Sequence, residues 1–178
     1  MRKLLVTQFV SLDGVMENPG WTFPYWNDEI AAFKGEETAA CDTLLLGRVT
    51  YEGFAAAWPD SDDEGAPYFN NVRKVVVSTT LTEATWNNSV IIRENVVAAI
   101  RALKQEAGGD IGVHGSATLA QTLLQHGLVD RLHLLVYPVV LGEGRKFFAE
   151  GTTATLKLIE TRPFSSGAVA LVYAPVRD

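Results

Sequence analysis

The chain has 178 residues with a formal net charge of −6, and 47% of its residues are hydrophobic. This length predicts one domain over residues 1–178, large enough to bury a stable core without disulfide bonds or metal ions. The acidic balance argues against a nucleic-acid binder, and no cluster of lysines and arginines indicates a membrane-surface binder. The single cysteine, Cys41, excludes an intramolecular disulfide and a cysteine-rich zinc site, and we expect no metal site.

We interpret the N-terminal residues MRKLLVTQFVSLDG as a strand that enters the fold. Their apolar part is short, is interrupted by Thr7 and Gln8, and is not followed by a small-residue cleavage site, so a signal peptide is not indicated. The sequence has no run of about 20 apolar residues, which a transmembrane helix would need. We therefore expect a cytoplasmic protein.

Short apolar runs rich in β-branched residues predict eight strands. Those in the middle of the chain are continuously apolar, which is typical of strands buried on both faces of a parallel sheet. The predicted strands are Leu4–Val10, Thr43–Leu46, Val75–Val77, Val90–Ile92, Ile111–Val113, Leu132–Val136, Leu156–Glu160 and Val169–Tyr173. The last two are separated only by TRPFSSGA, which leaves no room for a helix and predicts an antiparallel hairpin at a sheet edge.

Amphipathic patterns between the strands predict helices. They cover Asn27–Ala40, Asn95–Ala107 and Ser116–His126, and a further helix-like run follows Arg48. Asn27 suits an N-cap position, and Gly108 and Gly127 suit helix ends. The alternation of strands and helices predicts right-handed βαβ units and an α/β fold. The irregular segments VMENPGWTFPYW and WPDSDDEGAPYF are aromatic and contain proline and glycine, as loops that cover a site often do.

Three predicted strands end in residues that suit phosphate binding. Gly47 and Arg48 stand where a strand becomes a helix, whose N-terminus exposes unpaired N–H groups and a partial positive charge. Gly115 and Ser116 repeat this arrangement, and Ser78–Thr80 end a third strand with three hydroxyls. Because parallel strands end at the same edge of a sheet, these junctions predict a site for an extended ligand with several phosphates, such as a dinucleotide. Taken alone, Arg48 fits a solvated surface position equally well.

The composition of these junctions favours NADPH. An arginine with serine and threonine neighbours suits a 2′-phosphate, and no acidic residue stands at a strand end to bind a ribose hydroxyl. The first strand leads into SLDGVMEN, which lacks the G-x-G-x-x-G fingerprint, and the chain has no P-loop. The phosphates would therefore be bound by a layout different from the ordinary dinucleotide-binding fold.

Four motifs, SLDG, LLLGRVTYEGF, KVVVSTTL and GVHGSATLAQTLLQHGLVDRLHLLVYPVVLGEGRKFF, occur in this order over nearly the whole chain. Together they resemble the dihydrofolate-reductase-like family, and within it the branch with the C-terminal reductase domain of bacterial riboflavin biosynthesis. The resemblance implies a three-layer α/β fold with a central, mostly parallel sheet of about eight strands, helices on both faces and a C-terminal antiparallel hairpin. It also implies an NADPH-dependent oxidoreductase that acts as a homodimer.

The resemblance implies a set of cofactor-binding residues. Gly47, Arg48 and Thr50 would hold a phosphate region, Ser78–Thr80 would contact the 2′-phosphate, and the segment from Gly115 to Thr118 would hold the pyrophosphate. The loop Asp13–Trp21 would be mobile and lie beside the nicotinamide. The full implied set is Gly14, Val15, Gly47, Arg48, Val49, Thr50, Ser78, Thr79, Thr80, Gly115, Ser116, Ala117, Thr118 and Leu119.

For the substrate the resemblance implies Asp13, Trp21, Asp28 and Tyr51, with Asp28 and Glu29 as catalytic candidates. In folate reductases an acidic residue early in the first helix holds the pterin, and Asp28 and Glu29 fall at about that place. Acids in a first helical turn also complement the helix dipole, so both interpretations stay open. A buried carboxyl with a raised pKa would relay a proton, whereas an ionised one would anchor an amino-heterocycle.

The substrate class is the least defined part of this prediction. The riboflavin branch usually has a basic residue just after SLDG, where this chain has Val15. We expect a small pteridine- or pyrimidine-like heterocycle. Two other functions remain: a non-catalytic NADP-binding module of the same fold, and a hydrolase or transferase acting on phosphorylated small molecules.

The other polar candidates are expected to be structural. His114 ends a strand, and His126 and His133 lack metal-ligand spacing. The serines have no recognisable histidine and aspartate partners, which argues against a hydrolase triad. Cys41 is expected at the end of an apolar helix as a buried residue.

Overall fold

A computed structural model describes residues 1–176. The strands are β1 (Leu4–Ser11), β2 (Cys41–Gly47), β3 (Arg73–Val77), β4 (Ser89–Ile92), β5 (Asp110–Val113), β6 (Arg131–Tyr137), β7 (Leu156–Pro163) and β8 (Val169–Pro175). The helices are α1 (Asp28–Ala40), α2 (Arg48–Ala57), α3 (Ala66–Asn71), α4 (Val96–Gln105) and α5 (Ala117–Gln125), and a 3₁₀ segment covers Pro19–Tyr25.

The strands form one sheet in the order β4-β3-β2-β5-β1-β6-β8-β7. The first six strands in this order run parallel to one another, whereas β8 is antiparallel to both β6 and β7. The eight-stranded, mostly parallel sheet with a C-terminal hairpin is therefore confirmed. Strands β1 to β6 all end at the same side of the sheet, which we call the carboxyl edge.

Helices cover both faces of this sheet. On β2, Leu45 packs into the core under α4 and α5, whereas Leu44 and Leu46 pack into a core with α2 and α3. Side chains of successive strand residues point to opposite faces, so the continuous apolar run reflects two cores rather than one. A third cluster packs Ile30 and Phe33 of α1 against β6 and β8. The predicted burial of the central strands on both faces is confirmed.

The helix predictions are confirmed with differences at their boundaries. Asn27 caps α1, because its side-chain oxygen accepts a hydrogen bond from the Ile30 amide at 3.0 Å. Cys41 is buried as expected, but it begins β2 and does not end a helix. Each irregular segment contains a short ordered element, the 3₁₀ segment in one and α3 in the other. Within residues 1–176, no helix has the length and apolar character needed to cross a membrane.

Candidate functional site

The loops that follow β2 and β5 touch each other at the carboxyl edge. The Gly47 amide donates a hydrogen bond to the Gly115 carbonyl at 3.3 Å. A Cβ atom on Gly47 would lie 2.7 Å from Ser116 Oγ and 3.3 Å from the Ser116 amide nitrogen. The φ of Gly47 is −76°, which any residue adopts, so the glycine is needed for this close approach and not for a turn. The two predicted phosphate junctions therefore form one surface.

The second junction is built around the start of α5. Gly115 has φ +118° and lies against the Thr50 hydroxyl, where a Cβ would approach to 3.0 Å. The Ser116 hydroxyl caps α5 and accepts a hydrogen bond from the Leu119 amide at 3.4 Å. Among the residues predicted here, Ala117 and Leu119 are buried in the core, so only their backbone is available to a ligand.

Arginines surround these junctions. Arg48 begins α2 with a half-exposed side chain that pairs with Glu52 at 2.7 Å. Arg145, which the residue-by-residue prediction missed, donates to the Thr118 hydroxyl at 2.5 Å in the first turn of α5. The sequence feature that could have pointed to Arg145 is the motif LGEGRKFF, which contains it. The loop formed by this motif runs back from the end of β6 to α5. Two accessible guanidinium groups, those of Arg48 and Arg145, thus lie beside the starts of α2 and α5.

The serine and threonine cluster after β3 has two parts. The Ser78 hydroxyl is buried and accepts hydrogen bonds from the Leu81 amide at 2.9 Å and the Thr80 amide at 3.2 Å. Thr79 and Thr80 are exposed. Arg93, which follows β4, donates to the Leu81 carbonyl at 2.5 Å and so lies beside this turn. Ser78 shapes the turn, while the two threonines are open to a ligand.

The SLDG loop is tied to the loop after β6. The Asp13 carboxylate accepts a hydrogen bond from Ser11 Oγ at 2.6 Å and from the Leu141 and Gly142 amides at 3.1 and 2.8 Å. The Ser11 hydroxyl and these amides lower the pKa of Asp13 to about 2. Asp13, predicted to bind substrate, uses its carboxylate here to join two loops.

Residues Gly14 and Val15 extend this connection. The Gly14 carbonyl, at a residue with φ +84°, accepts a hydrogen bond from the Phe147 amide at 2.9 Å. Val15 is buried and forms an antiparallel bridge with Lys146. The loop predicted to be mobile is therefore anchored at its start, and its backbone is held at the end of β1.

The acidic residues of α1 lie at the surface. Asp28 and Glu29 are both exposed. A Glu29 carboxylate oxygen accepts hydrogen bonds from the Ser165 amide at 2.7 Å and the Ser165 hydroxyl at 2.6 Å, which lower the pKa of Glu29. Of the two roles considered for this carboxyl, Glu29 therefore fits the ionised group that would anchor an amino-heterocycle. It does not fit a buried proton relay with a raised pKa.

The two aromatic residues predicted for the substrate lie in different places. Trp21 belongs to the 3₁₀ segment, and its ring meets the ring of Tyr137 edge-on with centroids 5.7 Å apart, at the carboxyl edge. Tyr51 is buried in the core between α2 and β3, where its hydroxyl accepts a hydrogen bond from the Trp86 amide at 2.9 Å. The structure does not bring Tyr51 to the surface of this edge.

Comparison with known proteins identifies the family. Residues 2–170 match the model of the RibD C-terminal domain. The chain belongs to this family. YyaP, an uncharacterized protein of Bacillus subtilis (strain 168), is 30% identical over 178 residues, which cover 97% of this chain and 94% of YyaP.

Two solved structures show the fold. A pyrimidine reductase-like protein from Corynebacterium diphtheriae has a TM-score of 0.74 at 15% identity and covers 99% of this chain and 93% of its own. Dihydrofolate reductase from Enterococcus faecalis, in a complex with NADP(H), has a TM-score of 0.66 at 18% identity and covers 97% and 96%. The dihydrofolate-reductase-like fold is thus confirmed, and this RibD-family chain has a reductase-type domain.

A buried ionic cluster under α1 was not predicted from the sequence. The Glu37 carboxylate is 5% exposed, accepts a hydrogen bond from Thr7 Oγ1 at 3.1 Å, lies 2.6 Å from His133 Nδ1, and pairs with Lys34. Burial alone would raise the pKa of Glu37, but Lys34 and His133 hold it at about 2. No local pattern links Glu37 to His133, because they are far apart in sequence and meet only when α1 packs on β1 and β6.

His114 directly follows β5 and lies in an aromatic environment. Its ring lies edge-on to the rings of Phe54 and Phe69, with centroids 6.0 and 5.7 Å away. Burial lowers the pKa of His114 to about 3, with a smaller effect of Lys34. This histidine is therefore neutral near pH 7, in agreement with a structural role.

Proposed function

We propose that this protein is an NADPH-dependent reductase that transfers a hydride to a small heterocycle of the pteridine or pyrimidine type. The observation that carries the proposal is the contact between the Gly47 and Gly115 loops, which puts the starts of α2 and α5 side by side with Arg48 and Arg145 near them. Two helix N-termini and two guanidinium groups on one surface suit a ligand with several phosphates. Membership of the RibD C-terminal domain family and the NADP(H) complex of the E. faecalis reductase support the choice of cofactor.

The cofactor would lie along the carboxyl edge. Arg48, with Thr79 and Thr80, would bind the end of NADPH that carries the 2′-phosphate. The backbone from Gly115 to Thr118, together with Arg145, would hold the pyrophosphate. The nicotinamide would then rest near Gly14 and Val15, where the loop backbone is fixed by the hydrogen bond from Phe147.

The reaction would need little from the protein beyond positioning. The cofactor supplies the hydride, which adds to the carbon of a C=N or C=O bond while the nitrogen or oxygen gains a proton from solvent or a side chain. Glu29, ionised at the start of α1, would anchor an amino group of the heterocycle. The aromatic 3₁₀ segment would exclude water from the transfer. We also propose a homodimer, which size-exclusion chromatography with light scattering tests.

Cofactor titration tests the role of Arg48. Loss of one phosphate–guanidinium interaction should weaken NADPH binding about tenfold in Arg48→Ala, whereas NADH, which has no 2′-phosphate, should bind nearly as before. Quenching of tryptophan fluorescence gives both dissociation constants. Arg101→Ala, which removes an exposed arginine on α4, is the control and should change neither. Equal losses for NADPH and NADH would remove Arg48 from the 2′-phosphate side.

A non-catalytic NADP-binding module is the second candidate. It is favoured by the substrate side, since Tyr51 is buried and the Asp13 carboxylate is occupied by backbone amides. Oxidation of NADPH, followed by its absorbance with pteridine, pyrimidine and quinone acceptors, separates the two. Turnover with any acceptor supports the enzyme, and tight binding without turnover supports the module. No binding of either nicotinamide cofactor would contradict both.

A further inference from the structure

Like the Gln8 side-chain oxygen near Gly115, the hydroxyl of Tyr137 is a buried polar group without a hydrogen-bond partner in the described part of the chain. Tyr137 ends β6, is fully buried, and its hydroxyl has no hydrogen-bond partner within residues 1–176. A buried tyrosine hydroxyl usually has a partner, because burial removes the hydrogen bonds that water would provide. A hydroxyl left unpaired in this way requires a functional explanation.

Aromatic rings enclose this phenol. Phe9 of β1 and Trp21 and Tyr25 of the 3₁₀ segment meet the Tyr137 ring edge-on, with centroid distances of 5.6, 5.7 and 6.0 Å. Burial among these rings raises the pKa of Tyr137, so its hydroxyl keeps the proton near pH 7. The group is therefore a hydrogen-bond donor in a place where the surrounding side chains offer planar faces and edges.

The 3₁₀ segment packs against the third core cluster through the rings of Trp21 and Tyr25, and its Thr22 is buried as well. Its side-chain hydrogen bonds are local: Trp21 Nε1 donates to the Glu17 carbonyl at 3.0 Å, and the Thr22 hydroxyl donates to the Pro19 carbonyl at 2.6 Å. Phe23 is 76% exposed. The Thr22 bond lies within the segment, whereas the Trp21 bond reaches Glu17 just before it. Movement of Pro19–Tyr25 therefore has to replace the Trp21–Glu17 hydrogen bond, the burial of Thr22 and the edge-on ring contacts with Tyr137.

Tyr137 lies where the proposed function needs a substrate. It stands opposite Ser11 in the register of β1 and β6, and Ser11 begins the SLDG loop beside the proposed nicotinamide position. Ile30, in the N-terminal half of α1 near Glu29, packs in the same cluster as Tyr137. The phenol thus lies between the SLDG loop and the start of α1.

We propose that the Tyr137 hydroxyl donates a hydrogen bond to an acceptor atom of the substrate, a carbonyl oxygen or ring nitrogen of a planar heterocycle. The heterocycle enters when the 3₁₀ segment Pro19–Tyr25 moves as a lid, and it replaces ring contacts that Trp21 and Tyr25 make in the free protein. The proposal rests on the proposed reductase function for the identity of the substrate, but substrate binding can be tested without turnover.

Tyr137→Phe in the full chain is the test, because it removes the hydroxyl and keeps the ring. Calorimetric titration with pterin, in the presence of saturating NADPH and without it, gives the dissociation constants. We expect pterin to bind the variant about tenfold more weakly, which corresponds to about 1.4 kcal/mol, and NADPH to bind as in the original chain. Since the hydroxyl has no partner in the free protein, the melting temperature should stay the same or rise.

Tyr68→Phe is the matched control, because its hydroxyl is paired with the Cys41 carbonyl at 3.1 Å. This variant should melt at a lower temperature and bind pterin normally. The proposal is wrong if pterin binds Tyr137→Phe and the original chain equally, if it binds neither, or if Tyr137→Phe melts as low as Tyr68→Phe. Absence of NADPH oxidation, with the difference in pterin affinity retained, would contradict the reductase and leave Tyr137 as a ligand-binding residue.

Discussion

The two sides of the candidate site are held together by different physical means. On the cofactor side, the backbones of two loops touch: the Gly47 amide donates to the Gly115 carbonyl, and a Cβ on Gly47 would clash with Ser116. A Cβ on Gly115 would approach the Thr50 hydroxyl to 3.0 Å. On the substrate side, side chains make the contacts. α1 is attached by the buried charges of Glu37 and Lys34 and by the packing of Ile30 and Phe33, and the 3₁₀ segment is attached by rings that meet Tyr137 edge-on. Close backbone contacts fix a single geometry, whereas long side chains and ring edges allow shifts of the elements that they join.

This difference indicates how the two sides would work. A phosphate-binding surface needs amide groups at fixed positions, and the contact between the two loops supplies that rigidity without a ligand. A pocket for a planar heterocycle has to open and close, and the 3₁₀ segment with its local hydrogen bonds is suited to move. Substitutions on the two sides should therefore change different properties, namely stability on the substrate side and both stability and NADPH affinity on the cofactor side.

The largest effect is expected from Glu37→Gln, which removes the buried carboxylate that links α1 to Thr7 and His133. The ordinary pKa of this carboxyl is 4.5 and its value in the folded chain is about 2, so the ionised group stabilises the fold by about 3 kcal/mol at pH 7. Because the pKa is lowered on folding, this contribution is complete above about pH 5 and is lost as the pH falls toward 2. Urea unfolding should show the deficit of the variant at pH 7 and about half of it at pH 3.

Glu36→Gln is the control for this experiment. Glu36 is the neighbouring residue on α1, but its side chain is mostly exposed and pairs with Arg162 at 3.0 Å on the surface. Exposed ion pairs contribute less than about 1 kcal/mol, so this variant should unfold almost like the original chain. If Glu37→Gln also unfolds like the original chain at pH 7, the buried cluster does not hold α1.

A smaller effect is expected from Gly47→Ala on the cofactor side. The new methyl group would lie 2.7 Å from Ser116 Oγ, so the capping residue of α5 has to move. Overpacking of this kind costs about 2 kcal/mol, and we expect the affinity for NADPH to fall because the two helix starts separate. Thermal unfolding and fluorescence titration measure the two effects.

Gly53→Ala separates this clash from a general effect of replacing glycine. Gly53 lies within α2, and a Cβ there would meet no atom within 4 Å. Alanine favours a helix over glycine by about 0.5–1 kcal/mol, so Gly53→Ala should stabilise the protein and leave NADPH binding unchanged. A normal NADPH affinity in Gly47→Ala would show that contact between the loops does not shape the cofactor side.

The same contrast explains what the sequence could predict. The strand ends Gly47 and Gly115 were found because each lies in a short pattern of apolar strand, glycine and helix start, and parallel pairing brings such patterns to one edge. Glu37 and His133 could not be paired in advance, since their contact depends on how α1 lies on β6. Tyr137 was hidden in a continuous apolar run, where nothing distinguishes an unpaired hydroxyl from an ordinary core residue.

The short elements were missed for a local reason. α3 lies in a segment with four acidic residues, a glycine and two prolines, a composition typical of a loop. Its helix forms because Ala66 and Phe69 are buried, Phe69 in the core that it shares with α2. Cys41 was assigned to the preceding helix because alanines lead directly into it. Burial in the folded protein overrides local helix and loop propensities. A pattern of five or six residues does not contain enough information to predict that burial.

The smallest effect is expected from Asp13→Asn, which loosens the connection between the SLDG loop and the loop after β6. The Asp13 carboxylate accepts hydrogen bonds from the Leu141 and Gly142 amides, and an amide side chain can replace only part of this. We expect about tenfold faster hydrogen exchange at these two amides with little change in global unfolding. Asp62→Asn, which removes an exposed carboxylate elsewhere, should leave their exchange unchanged. The folded pKa of about 2 lies below the ordinary 3.8, so in the original chain the protection factors of these amides, which correct for the intrinsic pH dependence of exchange, should fall only when the pH falls toward 2. Unchanged exchange in Asp13→Asn would mean that the backbone contacts of Gly14 and Val15 hold the two loops together by themselves.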